Sequence, residues 1–231
     1  MQSAALLELP ESVITTVLRA AALIALAASP AAATPRTAAV APAAARLDTA
    51  VFAGGCFWGV QAVFQHVKGV VSATSGYAGG TVANPGYEAV TTGRTGHAES
   101  VRVVFDPAVV SYATLMDVFF TVVHDPTELN RQGPDVGTHY RSALFFTSVA
   151  QHEAASKFVS ALDKSGRHKR PIVTQISALR AFYPAEAYHQ DYATLNPNAP
   201  YIVHHDAPKL EALKREYKLL WTDKLATSKM K

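Results

Sequence analysis

Between Asp48 and Lys224 the apolar positions alternate between a spacing of two and a spacing of three to four, and glycine or proline marks most changes of period. TAVFAGG at 49–55 is apolar and stopped by paired glycines, which predicts a buried strand. From Cys56 the period becomes helical, with Phe57, Val60, Phe64 and Val67 on one face and a stop at Gly69. VVSATSGYAGG predicts a second strand running into a glycine turn, and TVANPGYEAVTTGRTG a loop. HAESVRVVFDP alternates up to Pro107 and is the strongest strand pattern in the chain. Next the pattern predicts a helix near 111–122, a loop over HDPTELNRQGPDVGT, a strand in YRSALFFTS, a helix over 149–165 and a strand in PIVTQISAL. PAEAYHQDYA predicts a short helix, and Asp206 the cap of a last helix striped by Leu210, Leu213, Tyr217 and Leu220. Strands and helices mix without strict alternation, so the expected class is α+β: a mixed or antiparallel sheet packed by helices in a two-layer sandwich with a ferredoxin-like core.

Composition narrows the chemistry. The chain has 231 residues, 49% hydrophobic and 17% charged, which is ample material for a core and excludes wholesale disorder. A formal charge of +3 is too weak to argue for nucleic acid, and Arg167-His168-Lys169-Arg170 reads as a solvated turn. One cysteine, Cys56, excludes an internal disulfide, a Cys-rich zinc site and a CxxC pair. None of the nine histidines falls in an HExxH pattern, and His204-His205 precede a helix cap, so no metal is expected.

Residues 1–33 differ in composition and read as a leader. VLRAAALIALAASPAAA at 17–33 has a basic residue, a short apolar run and an A-x-A end, the layout of an export signal too short for a stable membrane span. Glu8 and Glu11 fit that reading poorly, and a start at Val13 or Val17 would remove them; a disordered leader is the competing reading. Residues 34–47 read as a flexible linker, 48–224 as one catalytic domain and 225–231 as a tail. The expected location is exported or periplasmic if 17–33 is a signal and cytoplasmic otherwise; an unpaired reactive cysteine argues mildly against export.

The strand-to-helix reading puts Cys56 in the first turn of a helix, where free N–H groups and the macrodipole favour a thiolate, so its pKa is expected below the usual thiol value. The competing reading is an inert, buried cysteine. Alternation puts Glu99 on the apolar face of its strand with Val101, Val103 and Phe105, where an ionised carboxylate is costly and a raised pKa is expected. A protonated carboxyl beside a reactive thiol is a general acid. Against it stands a strand-end glutamate paired with Arg94 or Arg102.

GCFWG at 55–59, SGYAGG at 75–80, NPGYEAV at 84–90, TGHAESVRVVFDP at 95–107, GTHYRSALF at 137–145 and AEAYHQDY near 190 together resemble the A-type peptide methionine sulfoxide reductases, over almost all of 50–192. The resemblance implies thiol-dependent reduction of the S epimer of methionine sulfoxide, free or in proteins, with no metal or organic cofactor. It implies Cys56 as nucleophile, Glu99 as proton donor to the sulfoxide oxygen, and Tyr87 and Tyr140 as hydrogen-bond donors to that oxygen. Phe57 and Trp58 would hold the substrate methyl group and Asp135 would orient substrate and water. Read alone, each aromatic is more often core packing than a binding residue. The chain continues from HQDY through ATLNPNAPYIVHHDAPKLEAL without a cysteine, and Tyr201-Ile202-Val203 resembles a branch lacking resolving cysteines. A Cys56 sulfenic acid would then await a thioredoxin-like or glutaredoxin-like protein, or a small thiol. A monomer is expected. Two other readings compete: a Cys-His hydrolase, and a module that binds oxidised methionine without turnover.

Overall fold

A computed structural model describes residues 46–228. The leader and most of the linker, residues 1–45, lie outside the described residues, as do 229–231. Among the described residues no helix is long and apolar enough to cross a membrane.

The core unit is β1 (Asp48–Gly54), α1 (Phe57–Gln65), β2 (Val70–Ala78), α2 (Tyr87–Thr91), β3 (Ala98–Phe105), α3 (Tyr112–Val118) with a π turn (Phe119–Val123), β4 (Arg131–Gln132), β5 (Asp135–Val136), β6 (Ser142–Phe146) and α4 (Val149–Lys164). It continues through β7 (Gln175–Ala178), β8 (Phe182–Pro184), α5 (Tyr192–Leu195) and α6 (Ala207–Glu216). Six strands form one sheet in the order β7-β6-β1-β3-β2-β8, and β4 and β5 form a separate two-stranded ribbon. All neighbours in the large sheet are antiparallel except β6 and β7. The inner order β6-β1-β3-β2, with α1 and α3 as crossovers, is the expected ferredoxin-like arrangement, extended at both edges.

The two sheet faces are packed differently. Phe52, Val101, Val103 and Phe105 join Phe57, Val60 and Phe64 of α1 and Leu115 of α3 in the main core. The opposite face carries mostly small residues, Val51, Ala53, Ala78, Ala98 and Ala143, closed by Phe145 with Leu179 and Phe182. Phe52 stacks on Phe64 at 4.7 Å between ring centroids, which locks α1 over β1 and so fixes where that helix begins.

The ends of the predicted elements differ from expectation for local reasons. The helix expected to 122 leaves α geometry at Phe119 and finishes as a π turn. Asp206 stands at the start of α6 but accepts no capping hydrogen bond; its side chain turns to Lys209 instead. Residues 225–228, expected as a tail, pack along β2: Ala73 N–H donates to Thr227 O at 2.9 Å and Thr74 Oγ1 to Ser228 O at 2.7 Å.

Candidate active site

Cys56 occupies the N-cap position of α1, one residue after Gly55. Gly55 adopts φ +92°, and a Cβ there would lie 2.6 Å from the Gln132 side chain, so only glycine allows this turn from β1 into α1. Gln132 is itself clamped, accepting from Asp125 N–H and donating to Asp125 O, each at 3.0 Å. The ribbon β4–β5 is thereby drawn over the cysteine.

Glu99 reaches the same turn from β3. Its Oε2 accepts the Phe57 N–H at 3.0 Å, and the residue is only 2% exposed. It forms no salt bridge, so the pairing with Arg94 or Arg102 does not occur among the described residues. Burial pushes its carboxyl up to about 8, against the Phe57 hydrogen bond, with the Asp135 charge adding to the rise. At neutral pH Glu99 is mostly a neutral acid with a proton to give.

The thiol departs from expectation. Burial, then the Glu99 and Asp206 charges, push the Cys56 pKa well above its ordinary value, while the Trp58 N–H and Lys209 act the other way. The helix start still supplies an amide to the sulfur, but Phe57's is spent on Glu99 and two carboxyl groups stand nearby. An ionised Glu99 therefore opposes ionisation of Cys56.

Tyr87 opens α2, fixed by its N–H to Glu186 Oε1 at 2.8 Å; the other Glu186 oxygen accepts from the Tyr77 hydroxyl at 2.8 Å. Tyr140 closes a 3-10 turn, Thr138–Tyr140. Burial raises both phenols, Tyr87 to about 12, and the charge of Glu99 is the second contribution in each case. Both remain protonated donors, and both feel Cys56 as well.

Phe57 and Trp58 point in different directions. Phe57 is 1% exposed, packed against Tyr77 and, edge-on, His189. Trp58 is half-buried, stacked on Tyr192 at 3.8 Å with Tyr201 edge-on at 5.9 Å, and its Nε1–H donates to His189 Nδ1 at 3.2 Å. Asp135 accepts a short hydrogen bond from the Tyr201 hydroxyl. A cavity of about 170 Å³ opens onto the sulfur, lined by Cys56, Gln132, Asp135, Tyr201, His205 and Lys209 among others. Larger cavities of about 510 and 320 Å³ lie by the C-terminal segment, away from any of these groups.

The stretch AEAYHQDY contributes residues to which the sequence pattern assigns no work. His189, 2% exposed, is ringed by Phe57, Trp58 and Tyr87. Gln190 and Asp191 tie this segment to α1 and β2. Gln61 Nε2 donates to Gln190 Oε1 at 3.0 Å, Gln65 Nε2 to Asp191 Oδ1 at 2.6 Å, and Ser75 N–H to Gln190 Oε1 at 3.0 Å. The available signal is two buried glutamines four residues apart on an otherwise apolar helix face.

The family model described as peptide methionine sulfoxide reductase matches residues 48–220, which includes every residue placed around this sulfur. The chain belongs to the peptide methionine sulfoxide reductase family. Among relatives in this family, the chain is 54% identical over 177 residues to peptide methionine sulfoxide reductase MsrA 2 of Mesorhizobium japonicum, covering 77% of this chain and 91% of that one. Among reductase structures, methionine sulfoxide reductase A of Corynebacterium diphtheriae matches with TM-score 0.63 and 36% identity over 67% of this chain and 78% of that one. Reduced Mxr1 of Saccharomyces cerevisiae matches with TM-score 0.61 and 34% identity over 66% and 87%.

Proposed function

We propose that the chain reduces the S epimer of methionine sulfoxide, free or in proteins, by way of a Cys56 sulfenic acid. The observation that carries this reading is the buried Glu99 carboxyl, mostly protonated at neutral pH and bonded to the backbone N–H of Phe57, the residue that follows the only thiol in the sequence. Cys56 Sγ attacks the sulfoxide sulfur while Glu99 protonates the sulfoxide oxygen, and Tyr87 and Tyr140 donate hydrogen bonds to the same oxygen. An S–S bond forms as the S–O bond of the substrate breaks, the oxygen leaving as water with the Glu99 and thiol protons. A water then adds to Cys56 Sγ and breaks the S–S bond, releasing methionine, so two electrons have moved from the cysteine sulfur to the methionine sulfur. The proton that this water gives up returns to Glu99, leaving Cys56 sulfenic acid.

Trp58, between Tyr192 and the edge of Tyr201, offers the apolar wall for the substrate methyl group, with Phe57 packed behind it. Asp135, fixed by Tyr201, orients the rest of the substrate and its water. With one cysteine in 231 residues, no internal disulfide can form, so an external thiol must return the sulfenic acid to the thiol. A thioredoxin- or glutaredoxin-like protein or a small thiol supplies it. The raised Cys56 pKa fits a thiol that stays dormant until a sulfoxide occupies the site.

The deciding experiment is turnover of the two methionine sulfoxide epimers with dithiothreitol, comparing wild type with Cys56→Ser. Reduction of the S epimer only, lost in the variant, is expected. Reduction of the R epimer, or activity that survives in Cys56→Ser, overturns the reading.

A further inference from the structure

Of the residues assigned to the sulfoxide step, only Cys56 and Asp135 line the cavity that meets the sulfur. Glu99, Tyr87 and Tyr140 are absent from the wall of the cavity of about 170 Å³ that meets the sulfur. The only lysine or arginine in that wall is Lys209.

Lys209 is held in an unusual way. Its Nζ lies 3.0 Å from Asp206 Oδ1; the aspartate side chain is 0% exposed and the lysine side chain 18%. Asp206 Oδ2 is buried without a hydrogen-bond partner among the described residues. Burying a carboxylate this deeply is costly, and the ion pair with one oxygen unpartnered offsets that cost only in part. The pair sits against the helix that carries Cys56, since a Cβ on Gly59 would lie 2.0 Å from Asp206 Oδ1 and 2.9 Å from Lys209 Nζ. Its purpose is not to ionise the thiol, because the two charges act on Cys56 in opposite directions. An ammonium carries three N–H donors, and Asp206 takes one, so two are free to face an oxygen in the cavity. Besides Cys56, the other ionisable groups in that wall are Asp135, Tyr201 and His205, and none of them hydrogen-bonds to the ammonium.

We propose that Lys209, positioned by Asp206, is the proton donor of the recycling half of the cycle, in which an external thiol enters this cavity to resolve the Cys56 sulfenic acid. The inference rests on the reading of Cys56 as the nucleophile. The incoming thiolate attacks Cys56 Sγ; a disulfide bond to the thiol forms and the S–O bond breaks. The oxygen departs as hydroxide with its own hydrogen and takes the Lys209 proton to become water. The donor sulfur is oxidised and the Cys56 sulfur reduced. Lys209, partly exposed, regains its proton from solvent. A second thiolate then displaces Cys56, giving the oxidised donor and the starting cysteine, which is reprotonated from solvent.

The test separates the halves by rapid quench on the full chain. Methionine formed in a single turnover without reductant measures the first half; loss of dimedone-reactive Cys56 after adding dithiothreitol measures the second. Lys209→Met is expected to slow the second step at least about tenfold more than the first, the scale of one lost proton donor. Lys209→Arg keeps the charge but holds its proton, so it is expected to remain slow. Equal slowing of both halves, no slowing, or full recovery with arginine overturns the proposal. If wild type forms no methionine in the single turnover, the reading of Cys56 fails first.

Discussion

The backbone N–H of Phe57 donates to Glu99 Oε2 at 3.0 Å, which ties the acid on β3 to the residue that follows Cys56 on α1. Strand and helix are thus locked at the point where nucleophile and proton donor must meet. Glu99→Gln keeps an oxygen for that amide and removes the proton. A fall in single-turnover methionine formation of about 10²-fold or more is expected, the lower end of general-acid contributions. Unchanged far-ultraviolet circular dichroism would show that the fold survives the substitution.

Activity and stability should share one pH signature. With the Glu99 carboxyl pushed up to about 8, the acid form is present below that pH, so methionine formation should fall as pH rises through it. The folded state holds the proton more tightly than the unfolded chain, whose carboxyl titrates near 4.5. This contribution to stability is therefore complete below pH 4.5 and is lost as pH climbs through 8. Urea midpoints of wild type should drop relative to Glu99→Gln between those limits, and a constant difference would refute the assignment.

Trp58 is half-buried, with Tyr192 stacked on it at 3.8 Å. Trp58→Ala should raise KM about tenfold or more, the effect of losing an apolar wall worth roughly 1–3 kcal/mol. The single-turnover rate at saturating substrate should change less. A larger loss in kcat than in KM would assign the ring to the chemistry.

Gly59 tests the packing of the Asp206–Lys209 pair against α1. A Cβ there would lie 2.0 Å from Asp206 Oδ1, and Gly59→Ala should cost about 1–3 kcal/mol by thermal unfolding. Gly86 is the control: its φ is −87°, and a Cβ added there would meet nothing closer than 3.5 Å. Its alanine variant should stay within about 0.5 kcal/mol of wild type.

Stoichiometric oxidation by substrate should leave a dimedone adduct confined to the peptide that contains Cys56. With no second cysteine in the sequence, mass spectrometry should find no intramolecular disulfide. Intermolecular dimers formed faster than the adduct would contradict a stable sulfenic acid.

Periodicity is most legible where one face is buried and the other is not. In β3, residues 99, 101, 103 and 105 are buried while Arg102 and Val104 are partly exposed, so alternation alone brings Glu99 inside. Phe57, Val60, Phe64 and Val67 are likewise legible as one helix face, and all are buried. The ribbon β4–β5 is not, because two-residue strands have no period and are held by Gln132 and Asp125 rather than by an apolar face. His189 and Glu186 escape for a related reason: they act in a 3-10 turn and its approach, where each side chain has a different neighbour. The direction of the Cys56 shift runs against the sequence expectation because helix-end amides are local, while the burial of the sulfur, and after it the carboxyl groups of Glu99 and Asp206, come from distant sequence.

The segment that ends the described residues is moored beside β2, with Ser228 Oγ donating to Asp191 Oδ2 at 2.6 Å. Asp191 also accepts from Gln65 of α1 and follows His189 by two residues. Clipping the last few amino acids would therefore slacken the aromatic enclosure from behind, so a protease nick or a fusion placed there should be felt at a reacting centre that it never approaches.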